Sequence, residues 1–301
     1  MKLKNLSISL LCLCFFCSTT VNADNNSSIA TIDNGREPIP LLGSNFTYVK
    51  SLDFTQKHNN LPNEGFAVYR NNAFVIYQTG ICDIYNLKTG KFVNSFHLGS
   101  YATSNHANAA NFGVEFPKGN PNFPAIYISE CSGQGRCFVE SITTTGSKLI
   151  QTISLNLSKF GKRGLDWAVD EENSLLYCVQ TGNRGTNYNI FVFRLPKLSA
   201  GSNVVLNDSD LLNQWNNIPL SGVCQGLYVR KGYAYLPMSG GANGLNGCAL
   251  HEINLTSKNY ETTTINLGPN FANMECEDLY FYKNSLLISF NGTGVYYFAN
   301  K

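Results

Sequence analysis

Residues 64–97 read EGFAVYRNNAFVIYQTGICDIYNLKTGKFVNSFH. Four short runs rich in Val, Ile, Tyr and Phe are visible there: Gly65 to Tyr69, Ala73 to Gln78, Cys82 to Asn86 and Phe92 to Phe96. Asn, Gly and Lys88-Thr89-Gly90 punctuate them, so the stretch predicts four antiparallel strands joined by tight turns.

The opening of this unit returns four more times. The starts are Glu64-Gly-Phe-Ala-Val, Asn108-Ala-Ala-Asn-Phe, Leu165-Asp-Trp-Ala-Val, Gln225-Gly-Leu-Tyr-Val and Glu277-Asp-Leu-Tyr-Phe. They lie 44, 57, 60 and 52 residues apart, each interval fitting one four-stranded unit with its loops. Repeated sheets of this size predict the blades of a β-propeller. The second unit supplies Ala109 to Phe112, Ala125 to Ser129, Cys137 to Ile142 and Leu149 to Ser154. The third supplies Asp166 to Val169, Leu175 to Gln180, Ile190 to Leu195 and a weaker run near Val204, and Asp208 to Trp215 suggests one or two helical turns. The fourth supplies Gly226 to Val229, Ala234 to Met238, Ala249 to Asn254 and Tyr260 to Ile265.

The fifth unit is one strand short, and Thr47 to Phe54 is a strand left over before the first. Placing it at the outer edge of the last blade closes the ring and shields strand edges. The expectation is one all-β domain over residues 46–301, a five-bladed propeller, with six blades as the main alternative.

Lys2 and Lys4, the apolar stretch Leu6 to Cys17 and the small pair around Val21-Asn22-Ala23 predict a cleaved secretory leader over 1–23. Export to the periplasm, cell surface or medium is expected, and 24–45 reads as an extended lead-in. Cys12, Cys14 and Cys17 follow Leu11, Leu13 and Phe16, which does not suit lipidation. No later stretch is apolar enough to span a bilayer. Charged residues are 14% of the chain and the formal net charge is +2, which lacks the basic excess of a nucleic-acid binder. Past the leader seven cysteines remain, so at least one is unpaired. Cys131 and Cys137, flanking a Gly-rich turn, are the expected disulfide. No C-x-x-C spacing suggests zinc or redox chemistry.

In a propeller, inner-strand starts and the loops between second and third strands share a face. Those loops are Gly-rich here: Thr79-Gly80, 131–137, 181–187, 239–247 and 291–294. Glycines of this kind leave backbone amides open to a ligand, although β-turns need them too. The loop 239–247 lacks the Gly-Lys-Ser/Thr ending of a nucleotide-binding loop. The same face is expected to carry Glu64, His106, Asn108, Asp166, Gln225, Glu275 and Glu277. Oxygens of Glu64, Asn108 and Glu277 converging from several blades would suit Ca²⁺. His106, Asp166 and Glu277 are candidates for acid–base chemistry. A water-filled channel is the competing reading. No Ser-His-Asp order, nucleophile elbow or H-E-x-x-H is present. Trp167 and Tyr188 offer rings for a sugar, but Trp167 aligns with Phe66 and is expected between blades.

Glu64-Gly-Phe, Gln225-Gly-Leu and Glu277-Asp-Leu resemble inner-strand starts of exported gluconolactonase-like hydrolases and phytase-like propellers. In the former such positions hold a central calcium, which is what the resemblance implies for Glu64 and Glu277. Those hydrolases have six blades and further Asn and Asp ligands that this chain does not reproduce. The resemblance therefore bears on fold more than on activity. The expectation is a monomeric exported propeller binding a glycan or small molecule at the Gly-rich channel mouth. The alternatives are a calcium-assisted hydrolase of a lactone, phosphoester or glycan, and a protein-interaction scaffold.

Overall fold

The protein is described by a computed structural model covering residues 46–56, 58–102, 105–161, 164–181, 187–240, 247–256, 259–282 and 285–301. The expected leader and lead-in, and most of the Gly-rich loops at 181–187 and 239–247, lie outside the described residues.

Strand β1 (Phe46–Asp53) precedes the first blade, β2 (Asn63–Tyr69), β3 (Asn72–Tyr77), β4 (Ile81–Asn86) and β5 (Lys91–His97). The second is β6 (Ala107–Phe112), β7 (Ile126–Glu130), β8 (Cys137–Ile142) and β9 (Ser147–Asn156). The third begins with β10 (Leu165–Asp170), β11 (Leu175–Thr181) and β12 (Tyr188–Arg194); two strands follow, β13 (Asn203–Asn207) and β14 (Leu211–Ile218). The fourth contains β15 (Val223–Cys224), β16 (Tyr228–Arg230), β17 (Tyr233–Ser239), β18 (Ala249–Asn254) and β19 (Glu261–Asn266). The fifth holds β20 (Cys276–Tyr282), β21 (Ser285–Phe290) and β22 (Gly294–Asn300).

Middle strands such as β3 and β11 are apolar on both faces because each blade is covered by a neighbour on either side. The outermost strand β19, Glu261-Thr-Thr-Thr, faces water. Five apolar clusters sit between consecutive blades. The fifth joins Leu287 and Val295 of the last blade to Phe66, Val75 and Tyr85 of the first, so the ring is closed. Strand β1 pairs antiparallel with β22, from Phe46 opposite Asn300 to Asp53 opposite Gly294. The leading strand thus completes the last blade, and five is the blade count.

The edge of the third blade differs from expectation. The run at Val204 is β13, which pairs parallel with β9 and widens the second blade. The outer strand of the third blade is β14, paired with β12. Between them Asp208–Asp210 forms a single 3-10 turn in which the Asn207 amide donates to Asp210 Oδ2 at 2.8 Å. This reciprocal cap ends the helical geometry at once and redirects the chain from one blade edge to the next. Trp215 and Ile218 then face inward, which fixes the register of an otherwise polar strand. No described helix is long and apolar enough to cross a membrane.

Candidate functional site

Three of the five inner-strand starts are β-bulges, whereas that of the third blade pairs regularly from Leu165 opposite Gln180 onward. Register shifts fall between Asn63 and Phe66, between Ala107 and Ala110, and between Cys276 and Leu279. Each lies on the motif, at Glu64-Gly65, Asn108-Ala109 and Glu277-Asp278. A bulge sets two residues against one and re-aims their side chains. In the fourth blade the inner strand is interrupted instead, leaving Gln225 and Gly226 between β15 and β16.

The second bulge position ties the blades together. The Asp278 carboxylate accepts amide hydrogens from Phe66 at 2.8 Å, Ala110 at 2.9 Å and Leu279 at 2.9 Å, linking three inner strands. Gly226 is required opposite it, since a Cβ there would lie 2.6 Å from Asp278 Oδ1 and from the Glu277 carbonyl. Asn63 performs a similar task, donating to Ser289 Oγ at 3.1 Å and accepting from the Gly292 amide at 2.8 Å.

The first bulge position and its neighbours make the candidate site. Glu64, Asn108, Asp166 and Glu277 are buried, whereas His106 and Gln225 are half-buried and Glu275 is exposed at the mouth. Asn108 donates to Asp166 Oδ1 at 2.9 Å. Gln78 donates to His106 Nδ1 at 3.0 Å, which leaves the imidazole proton on Nε2, 3.6 Å from Glu64 Oε2. Gln225 donates to Glu275 Oε1 at 2.6 Å and to Ser239 Oγ at 2.7 Å, and Asn291 holds the other Glu275 oxygen at 3.2 Å.

Electrostatics follow from this crowding. Burial, and then the charge of Glu275, push the Glu64 carboxyl up to about 8. Burial followed by the charge of Glu64 holds Glu277 well above the usual carboxylate range. The two carboxyls face one another, so a proton between them removes their repulsion. Burial raises Asp166 to about 7 against the hydrogen bond from Asn108, and burial lowers His106. At neutral pH the Glu64–His106 contact is thus mainly between a carboxylic acid and a neutral imidazole. Asn108 Oδ1 and Asp166 Oδ2 receive no hydrogen bond from any described donor, and the Glu277 oxygens none apart from the proton shared with Glu64.

Other sequence expectations fare unevenly. Cys131 and Cys137 are both free thiols. Cys131 lies beside Asp166, Cys224 and Glu64, whereas Cys137 is packed with Tyr127 and Cys178 in the core, so the Gly-rich turn does not bring the sulfurs into a bond. Cys248 and Cys276 lie in one apolar cluster and donate their thiols to Met274 O and Met238 O, each at 3.1 Å; no spacing motif signals that meeting. Trp167 and Tyr188 are buried with their polar tips spent on Gly135 O and Gly222 O, so neither offers a face to a sugar. His251 is buried between Ser221 O and Thr264 Oγ1, away from the axis. Among the described residues no three His, Cys, Asp or Glu side chains are grouped closely enough to hold a metal ion as they stand.

No family model and no curated protein matches the chain. Among solved structures it is similar to Raptor of Chaetomium thermophilum, with a TM-score of 0.44 and 7% identity over 82% of this chain. The match spans 20% of that chain, and at this level it bears on neither activity nor partner.

Proposed function

We propose that the protein is an exported, monomeric binding protein whose acidic mouth takes a glycan end or small molecule rich in hydroxyl or amine donors. The supporting observation is the surplus of acceptors: Glu275 stands exposed at the opening, and beneath it buried oxygens of Glu277, Asp166 and Asn108 meet no described donor beyond the proton shared between Glu64 and Glu277. Buried polar atoms left unpaired cost about 1–3 kcal/mol each, so a ligand that supplies donors gains what the fold leaves open. A thermal-shift screen of neutral sugars, amino sugars and amines tests this. A hit raises Tm with concentration and is weakened at least about tenfold by Glu275→Ala or His106→Ala. No shift from any donor-rich compound, with a co-purifying protein instead, would favour the scaffold reading.

A second reading, a hydrolase of a lactone, phosphoester or glycan, is favoured by the protonated Glu64 set 3.6 Å from a neutral His106. That pair offers an acid and a base at one pH. A calcium-assisted version would use Glu64, Asn108 and Glu277 as oxygen ligands, and would require the two glutamates to lose their shared proton and turn toward the ion. Under this reading Ca²⁺ raises Tm and a chelator lowers it; an unchanged Tm counts against calcium.

A further inference from the structure

The inner strands end on the opposite face of the ring, and there the axis opens into a cavity of about 740 Å³. That volume lies within the roughly 300–1,000 Å³ typical of small-ligand pockets. Its walls come from the far ends of β2, β6, β16 and β20 and the turn after β10, so five blades contribute to one opening. The wall chemistry is unlike that of the acidic mouth. Tyr69, Phe116, Tyr228 and Tyr280 present rings, and Phe116 is 49% exposed.

The charged groups in the cavity divide into two kinds. Arg230 Nε is bonded to Glu172 Oε1 at 3.3 Å. Arg70 lies with its guanidinium 5.3 Å over the Tyr69 ring and has no carboxylate partner among the described residues. Glu171, exposed at the rim, likewise has no hydrogen-bonded partner among the described residues; the protein around it raises its carboxyl to about 7 against the nearby charge of Arg230. Arg70 also sits in the left-handed region at φ 56°, where a side chain costs roughly 1–2 kcal/mol relative to glycine. Around one concave space the described residues therefore set a cation without a carboxylate partner, a carboxyl without a hydrogen-bonded partner and flat apolar rings.

We propose that this cavity binds an acidic oligosaccharide, with Arg70 taking a uronate carboxylate, the aromatic walls packing on sugar-ring faces and Glu171 accepting hydroxyl hydrogens. A guanidinium matches a carboxylate with two parallel donors. Aromatic faces suit the C–H face of a pyranose, while a carboxyl beside them finds donors in the sugar's hydroxyls. A purely aromatic acid would leave Glu171 without a donor. The site is separate from the acidic mouth and does not depend on what binds there.

Calorimetry of the full chain with a uronic-acid trisaccharide, its methyl ester and an acidic peptide of equal charge tests the proposal. The acid sugar is expected to bind at least about tenfold tighter than its ester, the loss expected for one charge-assisted pair. Arg70→Gly, which relaxes the turn, should remove that difference without lowering Tm, and Phe116→Ala should weaken acid and ester alike. No binding of the acid sugar, equal binding of acid and ester, a preference that survives Arg70→Gly, or tighter binding of the peptide would each overturn it.

Discussion

The two mouths of the ring are built from the same five inner strands and have opposite characters. At the strand starts, bulges turn Glu64, Asn108 and Glu277 toward the axis, and packing is so tight that Gly226 has no room for a methyl group. At the strand ends there are no bulges, the axis opens to about 740 Å³, and Arg70 keeps a side chain where glycine would be easier. One mouth concentrates acceptors in a crowded, low-dielectric shaft; the other spreads rings and ions around open space. Bulge position, rather than blade number, sets that difference.

If the first mouth is held by shared hydrogen bonds across blades, Asp278→Ala should be the most damaging change. It strands the Phe66, Ala110 and Leu279 amides, each worth about 1–3 kcal/mol, so urea unfolding should show a loss of roughly 3 kcal/mol or more. A loss under about 1 kcal/mol would remove Asp278 as the tie. Gly226→Ala should cost about 1–3 kcal/mol through overpacking, in contrast to Arg70→Gly at the far mouth, which should leave stability unchanged or improved. Equal effects of the two would erase the comparison.

The third effect depends on pH. Glu64 is raised from 4.5 to about 8 in the folded protein, so the folded state holds a proton that the unfolded state has already released. Stability from this group is complete below about pH 4.5 and falls as pH rises to about 8, by up to ~1.4 kcal/mol per pH unit. Glu64→Gln should flatten that decline, seen as a smaller drop in urea midpoint between pH 5 and 8. Parallel curves for variant and wild type would mean that Glu64 ionises normally. Glu275→Ala, at the exposed rim, should change stability by less than about 0.5 kcal/mol while weakening any ligand of the acidic mouth.

The fold was legible in the sequence because the blade repeat is long, its strands are rich in Val, Ile, Tyr and Phe, and one strand was missing at the end where one was spare at the start. The blade edges were less legible. Only the run near Val204 reads as a weak outer strand, and Asp208 to Trp215 reads as helical turns. The chain instead makes one turn at Asp208–Asp210 and then the strand Leu211–Ile218, so that turn decides which blade each strand joins. The gathering of Glu64, His106, Asn108, Asp166, Gln225 and Glu277 at one end of the axis followed from blade geometry. Their burial did not, since a bulge leaves no composition signal, and the tie made by Asp278 hid behind the neighbouring Glu277. The far cavity was invisible because Arg70 and Glu171 sit in strand-connecting turns, and their place around one opening depends on how five strands end.

A proton held between buried carboxyls is the central feature of the acidic mouth, and infrared titration of the ligand-free protein from pH 4 to 10 measures it directly. A protonated-carboxyl band should persist at pH 7, disappear near pH 8 or above, and be diminished in Glu64→Gln and Glu277→Gln. Complete ionisation of all carboxyls by about pH 6, or a band untouched by either substitution, would contradict it.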